Sequence, residues 1–273
     1  MEQEAVFDRP SFTSPEQQEA FARDGYVVLD ARVPDDELRA LGDFYAEHER
    51  HYRSRRFAGT LAMRNATRHR TAVHDRIGAA LAGVVATSLI SYRQYCAGFG
   101  VKAPADTTAL QLHQDITMVP YDANRTGLTL WVPLCDVDER NGCLEALPGS
   151  HLVNRNPRSP GMPFAYEDQA ERIRGKHLVP VPCARGQVVV MDQALIHSSG
   201  PNLSAEPRVA AMAMLRAAED GLVYYHRTEV DGEVRLQRFS VPEDFYLRQE
   251  LGFPPHAGEL VGVEPERVAP HTW

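Results

Sequence analysis

The rhythm of apolar and polar residues changes partway along this chain. Up to about residue 85 the apolar positions recur at helical spacing; beyond it they fall into short runs broken by Gly, Pro and Asn. SPEQQEAFARDG carries helix signals in order: Ser14 as cap, Pro15 at the first helical position, Gln17 completing a capping box, and Gly25 as the stop. YVVLD follows as a short strand. VPDDELRALGDFYAEHERHYR predicts a second helix, with Leu38, Leu41, Phe44 and Tyr45 on one face and acids in its first turn. The later runs TALQLHQDITMV, GLTLWVPL, CLEALPGS, HLVPVP, QVVVMDQALIHSSG and RVAAMAMLRA read as strands of a sandwich or barrel. Asn141-Gly142 marks a tight turn between two of them. NRNPRSPGMPFAYEDQ is polar and Pro-rich and reads as a long surface loop. The stretch beyond residue 240 reads as mostly irregular, with VPEDFYLRQELG as one short helix. No linker divides the pattern. The expectation is therefore one domain over residues 1–273, with N-terminal helices at about 14–56, a β core at about 85–217, and an irregular C-terminal tail.

Charge narrows the partners. The formal net charge is −8, whereas a nucleic-acid-binding chain is more often basic. No run approaches the roughly 20 apolar residues of a membrane span, and MEQEAVFDRPSF lacks the basic and apolar halves of a secretory signal. The expectation is a cytoplasmic protein with a small-molecule substrate and neither nucleic acid nor membrane as partner. Cys96, Cys135, Cys143 and Cys183 form no CxxC pair and read as free thiols, including Cys135 and Cys143, which flank a turn.

Candidate chemistry centres on LQLHQDITMV. Residues two apart on a strand share a face, so His113, Asp115 and Gln111 point the same way. The bases of His113 and Asp115 lie about 7 Å apart, close enough for both tips to converge on one ion. His197 ends the apolar run QVVVMDQALIH. Two histidines and one carboxylate leave three open positions on iron(II), which suits oxygen chemistry. Arg208 follows His197 by eleven residues at the mouth of a strand, where a guanidinium is suited to hold a carboxylate, and Ser199 offers a hydroxyl to the same anion. Singly, each has a plainer reading: a buried ion pair for His113 and Asp115, a satisfied core histidine for His197, a surface ion pair for Arg208. Together they favour a metal with an anion anchor. Elsewhere, a solvated Lys102 is the default, and His151 reads as a turn stabiliser. The basic stretch from Arg64 to Arg76 reads as a charged helix face, or as a binding edge for an anionic substrate. Tyr224, Tyr225 and His226 are candidates for the substrate mouth.

These motifs resemble the phytanoyl-CoA dioxygenase family of iron(II)- and 2-oxoglutarate-dependent oxygenases. The matching pieces are DGYVVLD (24–30), HQD (113–115), LTLWVPL (128–134), NGCLEALPGSH (141–151) and IHSSGPNLSAEPR (196–208). HxD alone is a weak signal; the ordered set, with His and Arg eleven apart, is a strong one. The resemblance implies a mainly β protein with flanking helices, built on a double-stranded β-helix (jelly-roll, cupin-like) core. It implies iron(II) at His113, Asp115 and His197, and 2-oxoglutarate and O2 as co-substrates. The far carboxylate of 2-oxoglutarate would meet Arg208 and Ser199, with Trp131, Thr129 and Gln111 on the pocket wall. Because Asp115 is present where related halogenases carry a small residue, halogenation is disfavoured. The implied reaction oxidises, foremost by hydroxylation, a small organic molecule in secondary-metabolite biosynthesis, with release of succinate and CO2. The alternatives are an amino-acid or catabolic hydroxylase of the same family and a non-catalytic jelly-roll binding module.

Overall fold

The N-terminal helix α1 (Pro15–Asp24) forms where its caps predict it, with the Ser14 hydroxyl accepting from Gln17 N–H and Gly25 closing it in the left-handed region at φ 80°. The capping box is half-formed: the Gln17 side chain turns to Asp30 instead. The computed structural model describes residues 9–53, 56–121 and 125–273. In chain order, β1 (Tyr26–Arg32), α2 (Asp35–His48), β2 (Phe57–Gly59) and α3 (Thr67–Ser88) lead into β3 (Tyr92–Lys102). Then come β4 (Leu128–Pro133), β5 (Leu144–Ala146), α4 (Ala170–Lys176), β6 (Val179–Val181), β7 (Gln187–Asp192), β8 (His197–Ser199) and β9 (Arg208–Ala217). Last are β10 (Leu222–Val230), β11 (Glu233–Val241), α5 (Phe245–Arg248) and β12 (Glu259–Pro265).

One sheet runs β1-β7-β4-β9-β3-β2, and a smaller one runs β6-β5-β8. The larger sheet is buried on both faces, which is why its strands read as continuous apolar runs rather than alternating ones. Leu128, Leu130, Val132, Val188, Val190, Ala211 and Ala213 pack outward against Leu38 and Leu41 of α2 and Val73, Ile77 and Leu81 of α3. Trp131, Val189, Met191 and Ala210 face inward and meet Leu144, Ala146, Val181 and Cys183 of the smaller sheet. Two sheets face to face around an inner space, backed by helices, are the double-stranded β-helix.

Three segments differ from the sequence reading. Residues 107–118 do not run as a strand; their backbone meets β8 at the His113–His197 bridge and where Leu110 N–H donates to the Ser199 carbonyl at 2.9 Å. Residues 67–88 form a long third helix, and Arg70 on it is buried, donating to the carbonyls of Gln249 and Arg248. The region after residue 217 is largely ordered sheet, β10-β11-β12, turned by Asp231 and Gly232 at φ 53° and 79°. The four cysteines are free thiols. Among the described residues no helix is long and apolar enough to cross a membrane.

The corner at Gly25 locks α1 onto the core. Its carbonyl accepts from Asp192 N–H at 2.8 Å, and a Cβ there would lie 2.4 Å from His151 Nδ1. His151 thus packs under this corner as well as in its own turn. Gly25→Ala is expected to destabilise the protein by about 1–2 kcal/mol from backbone strain alone, and more from the collision. Thermal melting reads this as a lower Tm.

Candidate active site

The His113–His197 bridge is reciprocal: His113 N–H donates to the His197 carbonyl at 3.1 Å and His197 N–H to the His113 carbonyl at 2.9 Å. This pairing sets the two imidazoles side by side, with ring centroids 4.2 Å apart. Each ring is turned by its own backbone. His113 Nδ1 lies 2.9 Å from the Gln111 carbonyl and His197 Nδ1 lies 3.0 Å from the Leu195 carbonyl. A carbonyl only accepts, so Nδ1 carries the proton and Nε2 presents its lone pair in both rings. Burial, then the neighbouring His197, hold His113 well below the ordinary imidazole range, which keeps it neutral. Asp115 completes the group. The ligand atoms of His113, Asp115 and His197 all lie within 4.8 Å of one another. Thr129 Oγ1 donates to Asp115 Oδ2 at 2.7 Å and so fixes the orientation of the carboxylate.

Behind this group lies a positive cradle. β3 and β9 are antiparallel, with Lys102 directly opposite Arg208, so both side chains project to the inner face. Both are buried, at 1% and 3% exposure. Lys102 Nζ donates to Ser199 Oγ and to the Ser199 carbonyl, each at 3.2 Å, and to the Gly200 carbonyl. Arg208 reaches Ser199 Oγ at 3.4 Å and stacks 5.4 Å from the Trp131 ring centre, but its Nε has no partner. No carboxylate among the described residues pairs with this guanidinium. A buried cation without a counter-charge is costly, so the cradle calls for an anion. Burial pushes Arg208 down to about 10, and burial together with Arg208 pushes Lys102 down to about 8.

The predicted residues His113, Asp115, His197, Ser199, Arg208, Trp131, Thr129 and Gln111 all line one cavity of about 820 Å³. Gln111 is the exposed member, and its carbonyl rather than its side chain orients His113. Lys102 departs from the solvated default. The alternation Cys96, Gly98, Gly100, Lys102 along β3 was its available signal. Nothing in its Pro-rich neighbourhood marks Arg158 in the sequence, yet its Nε donates to the Asp115 carbonyl at 2.7 Å. Tyr224 and Tyr225 are buried in the body, and neither they nor His226 lines the cavity. The basic stretch packs structurally: Arg64 meets Glu250, Arg76 meets Glu37, and His74 meets Gln94.

Fold and site together define the class: a jelly-roll scaffold with a two-histidine, one-carboxylate group open to a cavity, as in iron- and 2-oxoglutarate-dependent oxygenases. The family model described as phytanoyl-CoA dioxygenase matches residues 21–210, and the chain belongs to that family. It is 36% identical over 104 residues to phytanoyl-CoA dioxygenase domain-containing protein 1 of Bos taurus, covering 36% of each chain. The chain spans less than half the length of the curated relatives it matches, for instance 43% of a homologue in Dictyostelium discoideum. The fold is similar to that of the non-heme alpha ketoglutarate dependent carbocyclase SnoK from nogalamycin biosynthesis, with TM-score 0.54 and 25% identity over 77% of this chain and 86% of that one. It is also similar to the epimerase SnoN, solved with Fe3+, alpha ketoglutarate and nogalamycin RO, with TM-score 0.53 and 24% identity over 75% and 83% of the two chains.

Two outcomes follow from this geometry. Thr129→Val removes the bond that orients Asp115 and is expected to weaken iron(II) binding by roughly 10–100-fold, with Tm little changed; calorimetric titration checks it. Below pH 8 both folded and unfolded chains carry charged Lys102, and the cost of burying that charge is present in full. Between about 8 and the ordinary 10.5 the folded chain binds fewer protons than the unfolded one. The ligand-free protein is therefore expected to gain stability across that window, while its affinity for a dicarboxylate falls as Lys102 loses charge. Melting and 2-oxoglutarate titrations over the same pH series read the opposite signs.

Proposed function

We propose that the protein is an iron(II)- and 2-oxoglutarate-dependent dioxygenase that hydroxylates a small organic molecule in secondary-metabolite biosynthesis, releasing succinate and CO2. The observation that carries the reading is the joining, in one cavity, of three convergent ligand atoms and a buried guanidinium, Arg208, that pairs with no carboxylate among the described residues. The donor set fits iron(II): two neutral Nε2 atoms, one carboxylate oxygen, and an open side facing the cavity. His113, Asp115 and His197 would hold the metal. Arg208 and Ser199 would hold the far carboxylate of 2-oxoglutarate, with Lys102 behind them bonded to Ser199 and with Trp131 flanking the guanidinium and confining the chain between the two ends.

Bound iron supplies the redox chemistry with dioxygen that protein side chains lack. The residues of this chain do the rest. The backbone carbonyls of Gln111 and Leu195 keep each imidazole in one tautomer. Thr129 fixes the Asp115 carboxylate by donating to Oδ2, and the presence of that carboxylate disfavours halide in its place. The cradle fixes the co-substrate by charge and shape, and the apolar wall keeps water from competing. The relation to SnoK, described as a carbocyclase of nogalamycin biosynthesis, supports placing the reaction in natural-product synthesis.

The test is an anaerobic titration with iron(II) followed by 2-oxoglutarate, read by visible absorption. A charge-transfer band that needs both is expected. Asp115→Ala should lose the band and all product, and Arg208→Ala should weaken 2-oxoglutarate binding by about 2–5 kcal/mol. Metal shown to bind without any band on adding the 2-oxo acid would defeat the reading.

A further inference from the structure

The inner face of β9 grades from charge to grease. Arg208, Ala210, Met212 and Met214 alternate inward over about 20 Å, and opposite them β3 presents Lys102, Gly100, Gly98 and Cys96. Arg208 therefore sits at one end of the cavity, with Lys102 behind it, and thioethers lie toward the other. Thr129, which holds Asp115, is paired with Met214, so the metal-ligand group stands toward the thioether end, away from the cradle. A co-substrate reaching from that group to Arg208 leaves the other direction to the substrate.

That direction is apolar. Met118, Leu61 and Leu251 come from the cluster beneath β10 and α5, and Met162 and Phe164 come from the loop after residue 153. Gly100 keeps the floor open, since a Cβ there would lie 2.9 Å from Met212 Cε. The charges on this wall are already engaged or lie at the rim. Arg158 donates to the carbonyls of Asp115, Asn156 and Gln193, and Glu266 is paired with Arg227 at 2.7 Å. Arg267 and Glu167 are exposed. Among the described residues, then, the interior of this half offers no buried pair of opposite charges to replace water around a zwitterion, and desolvating one there would be costly. Asn154 and Asn156 supply neutral hydrogen-bonding groups instead. Methionine-rich walls adapt to irregular apolar shapes.

We propose that this half of the cavity binds a bulky, uncharged, multi-ring substrate and does not bind a free amino acid. The inference rests on the co-substrate reading above, which assigns the other half to 2-oxoglutarate. The probe is Nile red, a neutral fluorescent polycycle, titrated anaerobically into protein loaded with iron(II) and 2-oxoglutarate. Saturable binding is expected, displaced by progesterone and not by a mixture of L-amino acids. Leu251→Glu and Met162→Glu, on separate half-buried segments, should each weaken it roughly tenfold or more by placing a carboxylate against the rings. The charge-transfer band, retained in a variant, shows that its site is folded. No saturable binding, binding unchanged in both variants, or displacement by amino acids alone overturns the proposal. Absence of the band in the unaltered protein instead defeats the co-substrate reading, while displacement of the dye still decides what the apolar half accepts.

Discussion

The candidate site is organised around one pair of backbone hydrogen bonds, between His113 and His197. The segment carrying His113 has no continuous ladder, so this bridge acts together with the bonds from Leu110 N–H to the Ser199 carbonyl and from Val223 N–H to the Met118 carbonyl to place it. β8, which carries His197, is three residues long and held by β5 on its other side. A one-residue slip at the bridge would turn one imidazole away from the other, since neighbouring residues in extended chain face opposite ways. The surrounding bonds oppose that slip. Gln193 Oε1 accepts from Met118 and Val119 N–H at 3.3 Å each, and Gln114 Nε2 donates to the Asn154 carbonyl at 2.9 Å. The register of the histidines is thus fixed by amides on both sides of them rather than by the histidines themselves.

The same core carries an unresolved electrostatic cost. Lys102 and Arg208 repel each other across adjacent strands and lie away from water, with Ser199 as their shared polar neighbour. Structural charges are usually paired when buried. A pair left unbalanced reads as a site kept ready for an anion, with part of the binding energy recovered from relieving the repulsion. Trp131 moderates the cost by placing its ring face toward the guanidinium, while still leaving Nε unpartnered.

Much of this was legible in the residues. Ser14, Pro15 and Gly25 mark α1 because capping is local chemistry. His113 and Asp115 stand two apart, which puts both on one side of an extended chain, whereas the eleven-residue spacing of His197 and Arg208, on β8 and β9, was legible only as part of the family pattern. What was not legible depends on partners distant in sequence. Lys102 looks like an ordinary surface lysine until β9 is laid against β3. Arg70 looks like part of a basic helix face until α5 covers it. The segment 107–118 alternates like a strand, yet it touches β8 and β10 only through scattered backbone bonds, at Leu110, His113 and Met118, rather than along a continuous ladder. The C-terminal sheet is a different case. LVYYHRTEV and EVRLQRFSV flank an Asp-Gly turn, a hairpin signal that was present and passed over among the charged residues of the tail.

Arg158 shows how metal geometry and substrate choice are tied. Its backbone pairs with Thr117, accepting from Thr117 N–H at 2.9 Å and donating to Thr117 Oγ1 at 3.0 Å, while its guanidinium clasps the carbonyls of Asp115 and Gln193. The polar, Pro-rich loop that carries it is therefore sewn to the metal-ligand segment rather than hung over it. Asn154, Met162 and Phe164 of the same loop line the cavity. A change in this loop that reshapes the substrate wall also pulls on the peptide of Asp115. Conversely, whatever holds Asp115 in place holds that wall. The cavity wall and the ligand segment are thus joined through Arg158, so the shape of the one is tied to the placement of the other.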